Sequence, residues 1–253
     1  VNVFEWIDDA ILDSLNHLFD DGEEVDPGHW QGVSTEGHPD LVTREIINLH
    51  WSAMMPSTME EAQALIMPNL PWAEDHFHER VSGVPTNPGK EYKNWPWWNE
   101  QDEHTMVAGQ FTHTYQERFW PPTIPGIRYH YGNLTDLIGL LTENPHTRQA
   151  TFPIFFPEDT GATHGGRIPC TLHYHFLLRG NRLHMWYPIR SCDAVRHFRD
   201  DVYMAVRLCH YVLDRLYDPS TLWAEVEPGY LHFTAYSFHV NKGDIHRYGA
   251  QTR

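Results

Sequence analysis

The chain has 253 residues, 41% hydrophobic and 21% charged, which excludes a disordered or fibrous chain and leaves a globular protein with one large core or two small ones. A net charge of −16 excludes a protein that coats a nucleic acid polymer, because counterion release needs clustered Lys and Arg, but a single nucleotide needs only two or three local arginines. No apolar run reaches the roughly eighteen residues of a membrane span, no basic-then-apolar leader is seen, and cysteines at 170, 192 and 209 lack paired spacing, so the expectation is a cytoplasmic protein with no membrane partner.

Val3 to Phe19 carries apolar residues at helical spacing and runs into Asp-Asp-Gly22, which predicts a helix. Leu41 to Met55 mixes β-branched and aromatic residues and is expected to pack as a core helix. Ser57-Thr-Met-Glu60 has the spacing of a capping box opening a short helix through Ile66. Residues 68–104 change texture, with Pro68-Asn-Leu-Pro-Trp72, Asn87-Pro-Gly89 and Trp95-Pro-Trp-Trp98. They predict an ordered, irregular Trp/Pro-rich insertion, since so much apolar area is not left in water. Leu134 to Thr142 is a helix between Asn133 and Asn144-Pro145. Strands follow at 150–156, 168–178 and 183–189, the last two joined by a turn at Arg179-Gly-Asn181. Asp193 to Leu216 reads as a long helix and Tyr230 to Val240 as a final aromatic strand. With no repeat and no boundary, the expectation is a single α+β domain over residues 1–253.

A lone cysteine in a strand is ordinarily a small buried hydrophobe, and Cys192 and Cys209 keep that reading. Cys170 differs. It follows Pro169 at a strand opening, with Arg167 close by, and nearby positive charge raises a thiol's thiolate fraction. Arg190-Ser-Cys-Asp193 comes twenty positions later, and Asp201 eight after that. A guanidinium fork suits phosphate oxygens, and a serine hydroxyl adds a neutral donor. Asp200 and Asp201 can be read as an acidic first helical turn, favourable to the dipole. Alternatively, Asp201 reads a base. An ionised aspartate opposes the lone pairs of uracil O4, whereas it accepts well from cytosine N4 and, once protonated, donates to N3. Thiol, clamp and carboxylate together predict chemistry on a pyrimidine nucleotide.

Arg148, Pro169-Cys170, Phe176, Gly180, Leu183, Arg190-Ser191-Cys192-Asp193 and Asp201 together resemble the thymidylate synthase family, without a gap from Pro169 to Asp201. Leu134 to Arg148 resembles the helix and turn leading to that family's arginine, and Gly229 to His239 the later strand ending in its ribose-binding histidine. The likeness covers roughly residues 110–245. It implies an α+β thymidylate synthase-like fold, a mixed sheet packed with helices, with one sheet face forming a homodimer interface. Cys170 would add as thiolate to C6 of the pyrimidine of a nucleoside monophosphate, and C5 would attack the one-carbon unit of 5,10-methylenetetrahydrofolate. Arg190 and Ser191 would hold the 5′-phosphate, with Arg148 reaching in from the second subunit. Asp193 belongs to the same set, His239 would hold the ribose beside Asn241 (a tyrosine in the family), and Tyr115 would lie near the nucleophile.

The synthase proper has asparagine where this chain has Asp201, and aspartate there is similar to the deoxycytidylate hydroxymethylase branch, a phage enzyme. Departures from the family are Thr171 for histidine, Ile189 for glutamine and Gln149 for a second arginine. The glutamate base falls near Asn48, leaving Glu45, Glu74 or Glu79 as substitutes. Only fourteen residues follow His239, so less chain would cover the folate, and water would reach the intermediate. The expected function is folate-dependent hydroxymethylation of dCMP. The alternatives are a thymidylate synthase or hydroxymethylase acting on dUMP, and a nucleotide-binding homologue without turnover. Against these stands a metal site built on His173-Tyr-His175 or His76-Phe-His78, each of which ordinary packing also explains.

Overall fold

The computed structural model describes residues 2–30, 33–98, 106–121, 132–160 and 168–245. In chain order the strands are β1 (Asn2–Phe4), β2 (Glu23–Val25), β3 (His29–Trp30), β4 (Val33–Ser34), β5 (Thr43–Met54), β6 (Thr151–Pro153), β7 (His173–Arg179), β8 (Arg182–Asp193) and β9 (Glu227–Asn241). The helices are α1 (Ile7–Asp21), α2 (Met59–Ile66), α3 (Trp72–Arg80), α4 (Tyr115–Phe119), α5 (Leu134–Glu143) and α6 (Phe198–Leu216). One mixed sheet runs β1-β5-β9-β8-β7-β6, with β2 also pairing β5. The two long strands β8 and β9 are parallel neighbours at its centre, with Ser191 opposite Ser237 and Asp193 opposite His239. On the other side of β9, Glu45 of β5 also pairs with His239, so three polar residues cross the sheet in one row.

Alternation along β7, β8 and β9 separates the two faces. Tyr174, Phe176, Tyr187, Leu231 and Phe233 are fully buried, and Phe198 of α6 packs its ring against Phe233 and Phe238. The intervening positions, among them His173, His175, Trp186 and His232, line a shallow hollow of about 360 Å³. In α6, Val202, Val206, Val212 and Leu216 are buried as its periodicity predicts, and Cys192 and Cys209 are core residues.

Four elements differ from expectation. Val3 and Phe4, expected to open the first helix, lie in strand β1, and the helix begins at Ile7. Leu41 to Met55 is not a helix: β5 pairs antiparallel with β9 from Thr43↔Asn241 to Met54↔Tyr230. Its Ile46, Ile47 and Trp51 suit a pleated, half-buried surface, and an apolar run without clear period is settled by its neighbour strand. The stretch 68–104 is irregular only in part, since Trp72–Arg80 is helical with Glu74 and Asp75 in its first turn and Arg80 in its last. His76 and His78 therefore do not share a strand face, because residues two apart on a helix point to different sides. The long helix begins at Phe198 rather than Asp193, because β8 runs on through Asp193, whose Oδ1 accepts from Val195 N (3.0 Å) and Arg196 N (2.9 Å) in a tight turn. The short helix α2 is capped one residue later than expected and without the reciprocal box: Thr58 Oγ1 accepts from Glu61 N (3.2 Å), and the Glu61 carboxylate accepts from Ser57 N at 2.9 Å rather than from the cap residue. Among the described residues no helix is long and apolar enough to cross a membrane.

Candidate active site

A cavity of about 500 Å³ opens where β5, β8 and β9 meet α3, α4 and the start of α6. Cys170 lines it, half-buried. The backbone around the thiol is fixed by Arg190 N donating to Cys170 O (2.8 Å) and Leu172 N donating to Pro188 O (3.0 Å), which lay the segment against β8. Arg190 closes the arrangement: Nε donates to Pro169 O and Nη2 to Ile168 O, both at 2.9 Å, and Nη2 lies 3.9 Å from Cys170 Sγ. The clamped guanidinium and the thiol are thus neighbours on the cavity wall. Beyond the thiol, Thr171 Oγ1 bonds to the hydroxyls of Tyr115 (3.0 Å) and Tyr187 (3.1 Å). Burial pushes both phenols up, so they stay protonated donors at neutral pH.

The start of α6 supplies the opposite wall. Asp200 is 1% exposed and accepts from Asn69 N (2.7 Å) and Nδ2 (2.8 Å), which pins the 68–71 segment to the helix. Asp201 is half-buried, lines the cavity, and its carboxylate has no hydrogen-bond partner among the described residues. Burial pushes its pKa up to about 7; Arg80 pulls it down while Asp200 and Asp193 push it up. Both aspartates stand in the first turn of α6, as the acidic-turn reading has it; Asp200 also anchors the Asn69 segment, and Asp201 lines the cavity.

Of the three glutamates expected as base, Glu74 lies outside the cavity lining, held by Tyr203 OH (2.7 Å) and Arg207 Nε (3.1 Å). Glu45 lines the cavity beside the sheet, accepting from Ser237 Oγ, which in turn contacts His239 Nδ1 at 3.1 Å. Glu79 lines it from α3, accepting from Gln116 Nε2 (2.6 Å) and Lys90 N. Burial pushes Glu79 up, but contact with His76 and the Lys90 and Glu91 N–H groups outweighs it and holds the carboxyl below its usual range. Gly89 permits this approach, since any side chain there would collide with the Glu79 carboxylate.

The structure brings Cys170, Tyr115, Arg190, Ser191, Asp193, Asp201 and His239 to one cavity. Burial raises Asp193, against the pull of His239 and Arg196. Arg148 is exposed in the turn after α5, outside the lining. Asn241 is 1% exposed, also outside the lining, with both amide atoms unpartnered. Arg167 lies outside the described residues. Sequence reasoning missed Arg80 and Gln116 and offered His76 only in a metal pair; the Trp/Pro-rich stretch supplies an aromatic wall, where Trp72 stacks on His76 (5.0 Å, 11°) and Trp95 on His197 (4.6 Å, 12°). The one available signal was the helix Trp72–Arg80, whose acidic start and basic end were legible. His173 and His175 do share a strand face, but among the described residues no three His, Cys, Asp or Glu side chains cluster to hold a metal.

No family model matches the chain. Two curated relatives, each named "Putative thymidylate synthase", from Methanosarcina acetivorans and Methanosarcina mazei, are 27% identical over 158 residues, 58% of this chain. The match spans 64% of the relatives' length. The solved structure of the thermostable thymidylate synthase A from Bacillus subtilis superposes with a TM-score of 0.65 at 14% identity, covering 96% of this chain and 83% of that chain. The chain therefore has the thymidylate synthase fold.

Proposed function

We propose that this protein transfers a one-carbon unit to C5 of a pyrimidine nucleoside monophosphate, dCMP in first place, giving 5-hydroxymethyl-dCMP. The observation that carries the reading is a thiol beside a guanidinium and an uncommitted aspartate, all lining one cavity. Cys170 attacks C6, and Arg190 and Ser191 take the 5′-phosphate. An Asp201 whose proton is gained and lost near neutral pH suits cytosine, accepting from N4 and donating to N3. Tyr115 and Thr171 hold the segment carrying the thiol through their shared hydroxyl contact.

Glu79 is the base we assign for removing the C5 proton. It is ionised, sits on the cavity, and connects through Gln116 to the helix bearing Tyr115. Glu45 instead orients His239 through Ser237 toward the ribose. The flat rings of Trp72, Trp95 and His197 suit a pterin, so these residues would hold 5,10-methylenetetrahydrofolate. When bound, it supplies a one-carbon unit at the formaldehyde level. Water then completes the hydroxymethyl group, the outcome we attach to aspartate at 201. The assembly is a homodimer through the open sheet face, with Arg148 completing the partner's phosphate site; its exposed position away from its own cavity supports this.

Incubating the protein with dCMP, dUMP or CMP plus methylenetetrahydrofolate and weighing the products tests the reading. The expected product is dCMP heavier by one CH₂O. Methylated dUMP alone would replace the cytosine assignment with a synthase reaction, and tight nucleotide binding without product would make the chain a binding homologue.

A further inference from the structure

Most buried or half-buried arginines of this protein have settled partners. Arg118 pairs with Asp159 (2.8 Å), Arg196 with Asp244 (2.7 Å) and Arg207 with Glu74 (3.1 Å), while Arg190 and Arg199 donate to backbone carbonyls. Arg80 is the exception. It is 5% exposed at the last position of α3 and lines the cavity, and its guanidinium makes no hydrogen bond or ion pair with any described residue. Its Nε is sealed from solvent without an acceptor. The face of Tyr115 lies against it, with Cζ 4.0 Å from the ring centroid. A buried, unpaired cation is costly, and a fold keeps one where a negative charge arrives later.

The charged and titratable groups around Arg80 can be taken in turn. On its own helix, His76 is pushed down by burial and is neutral, and Glu79 is already engaged by Gln116 and Lys90. Tyr115 on α4 and Tyr174 on β7 are pushed up and neutral. Asp200 is committed to Asn69. Asp193 accepts from its own turn through Oδ1, whereas the Asp201 carboxylate has no hydrogen-bond partner among the described residues and feels the Arg80 charge.

Resting on the function proposed above, we propose that Arg80 is a positioning residue held unpaired for Asp201: it stabilises the carboxylate that Asp201 becomes on giving its proton to the ring. The step balances without any other reactant. The Cys170 thiolate forms the S–C6 bond, and the C5=C6 electron pair moves through C4 to N3. N3 takes the proton from the Asp201 carboxyl, and the negative charge that began on sulfur ends on Asp201 beside Arg80. A neutral ring adduct and an internal ion pair replace a thiolate and a buried acid.

Two measurements decide this. In the ligand-free protein, carbon-13 NMR of labelled aspartate, with Asp201 assigned from D201N, gives its titration midpoint, and Arg80→Met is expected to raise that midpoint by about one unit or more. In the absence of folate, exchange of the C5 hydrogen of dCMP in heavy water reads adduct formation together with proton exchange at C5, without one-carbon transfer. Arg80→Met is expected to slow it ~100-fold, with dCMP affinity changed only a few-fold, while Arg80→Lys restores a large part. The melting temperature of ligand-free Arg80→Met should hold or rise, because an apolar group relieves an unpaired charge. An unmoved midpoint overturns the role of Arg80, as does a fall in melting temperature that lysine does not rescue. Absence of exchange in the unaltered protein overturns the nucleotide reading and with it the proton step, and the midpoint shift then reports the Arg80–Asp201 coupling by itself, so the two failures are told apart.

Discussion

On the sheet side of the cavity, the groups around Cys170 are tied down: Arg190 by two carbonyls, Thr171 by two phenols, Asp193 by its own turn. On the helix side, the side chains of Asp201 and Arg80 line the same space with no hydrogen-bond partner among the described residues. Both walls are built from ordinary elements, so packing is not what separates them. The difference lies in where free energy is stored. Anchored groups fix the position of an attacking atom, while unpaired charges are destabilising until a ligand or a developing charge meets them.

The largest effect should come from the anchored wall. Cys170→Ser replaces the thiolate with a far poorer nucleophile, and turnover is expected to fall by at least ~10⁴ while calorimetry shows nucleotide binding nearly unchanged. A serine variant that kept turnover would mean that this wall only supports the reaction. The next effect belongs to the unpaired wall. Asp201→Asn gives an amide that donates to uracil O4 and accepts from N3–H, so the ratio of kcat/KM for dCMP over dUMP is expected to swing by about 10³–10⁴. Full retention of cytosine preference by that variant would remove base reading from Asp201.

The same contrast explains what the sequence revealed. Cys170, Arg190 and Asp193 were legible because they flank one strand at short range, where spacing along the chain translates into position. Arg80, His76 and Gln116 reach the cavity from α3 and α4, and their meeting with α6 depends on tertiary packing that no local period encodes. Strand β5 was misread for a related reason: its apolar residues fall on both faces, and only the ladder to β9 decides between helix and strand. The glutamate candidates could be named but not ranked, since each needed its partner to be known. Arg207 holds Glu74 outside the cavity lining, while Glu45 and Glu79 both line it with hydrogen-bond partners of their own, and Glu79 is the base proposed above.

Asp200 and Asp201 allow a sharper form of the comparison, because they are adjacent in sequence and opposite in role. Asp200→Ala leaves the Asn69 N–H and amide without their acceptor, and urea denaturation should show a loss of about 2–3 kcal/mol. Its ratio of dCMP to dUMP activity should not move. If the ratio shifted as far as in Asp201→Asn, the division of labour between the two carboxylates would be wrong.

The smallest expected effect is in the pH dependence of stability, where Asp201 and His76 act in opposite windows. The folded pKa of Asp201 stands at about 7, above its ordinary value of 3.8, so between those limits the folded state binds the extra proton. The stability it contributes is present at low pH and is lost as pH rises from 3.8 through about 7. His76 is pushed down from 6.5 to about 4 by burial, with Arg80 adding to the fall, so there the unfolded state binds the extra proton. That stability is present above 6.5 and lost as pH falls toward about 4. Asp201→Asn should therefore stabilise the ligand-free protein at pH 8 by on the order of 2 kcal/mol relative to pH 4. His76→Gln should flatten the acid side of the curve by on the order of 1–2 kcal/mol and leave the alkaline side alone. Urea midpoints at half-unit pH steps check both. A single curve shared by both variants would show that the two groups titrate as one, and that the helix wall is a coupled cluster rather than one free carboxylate facing one free cation.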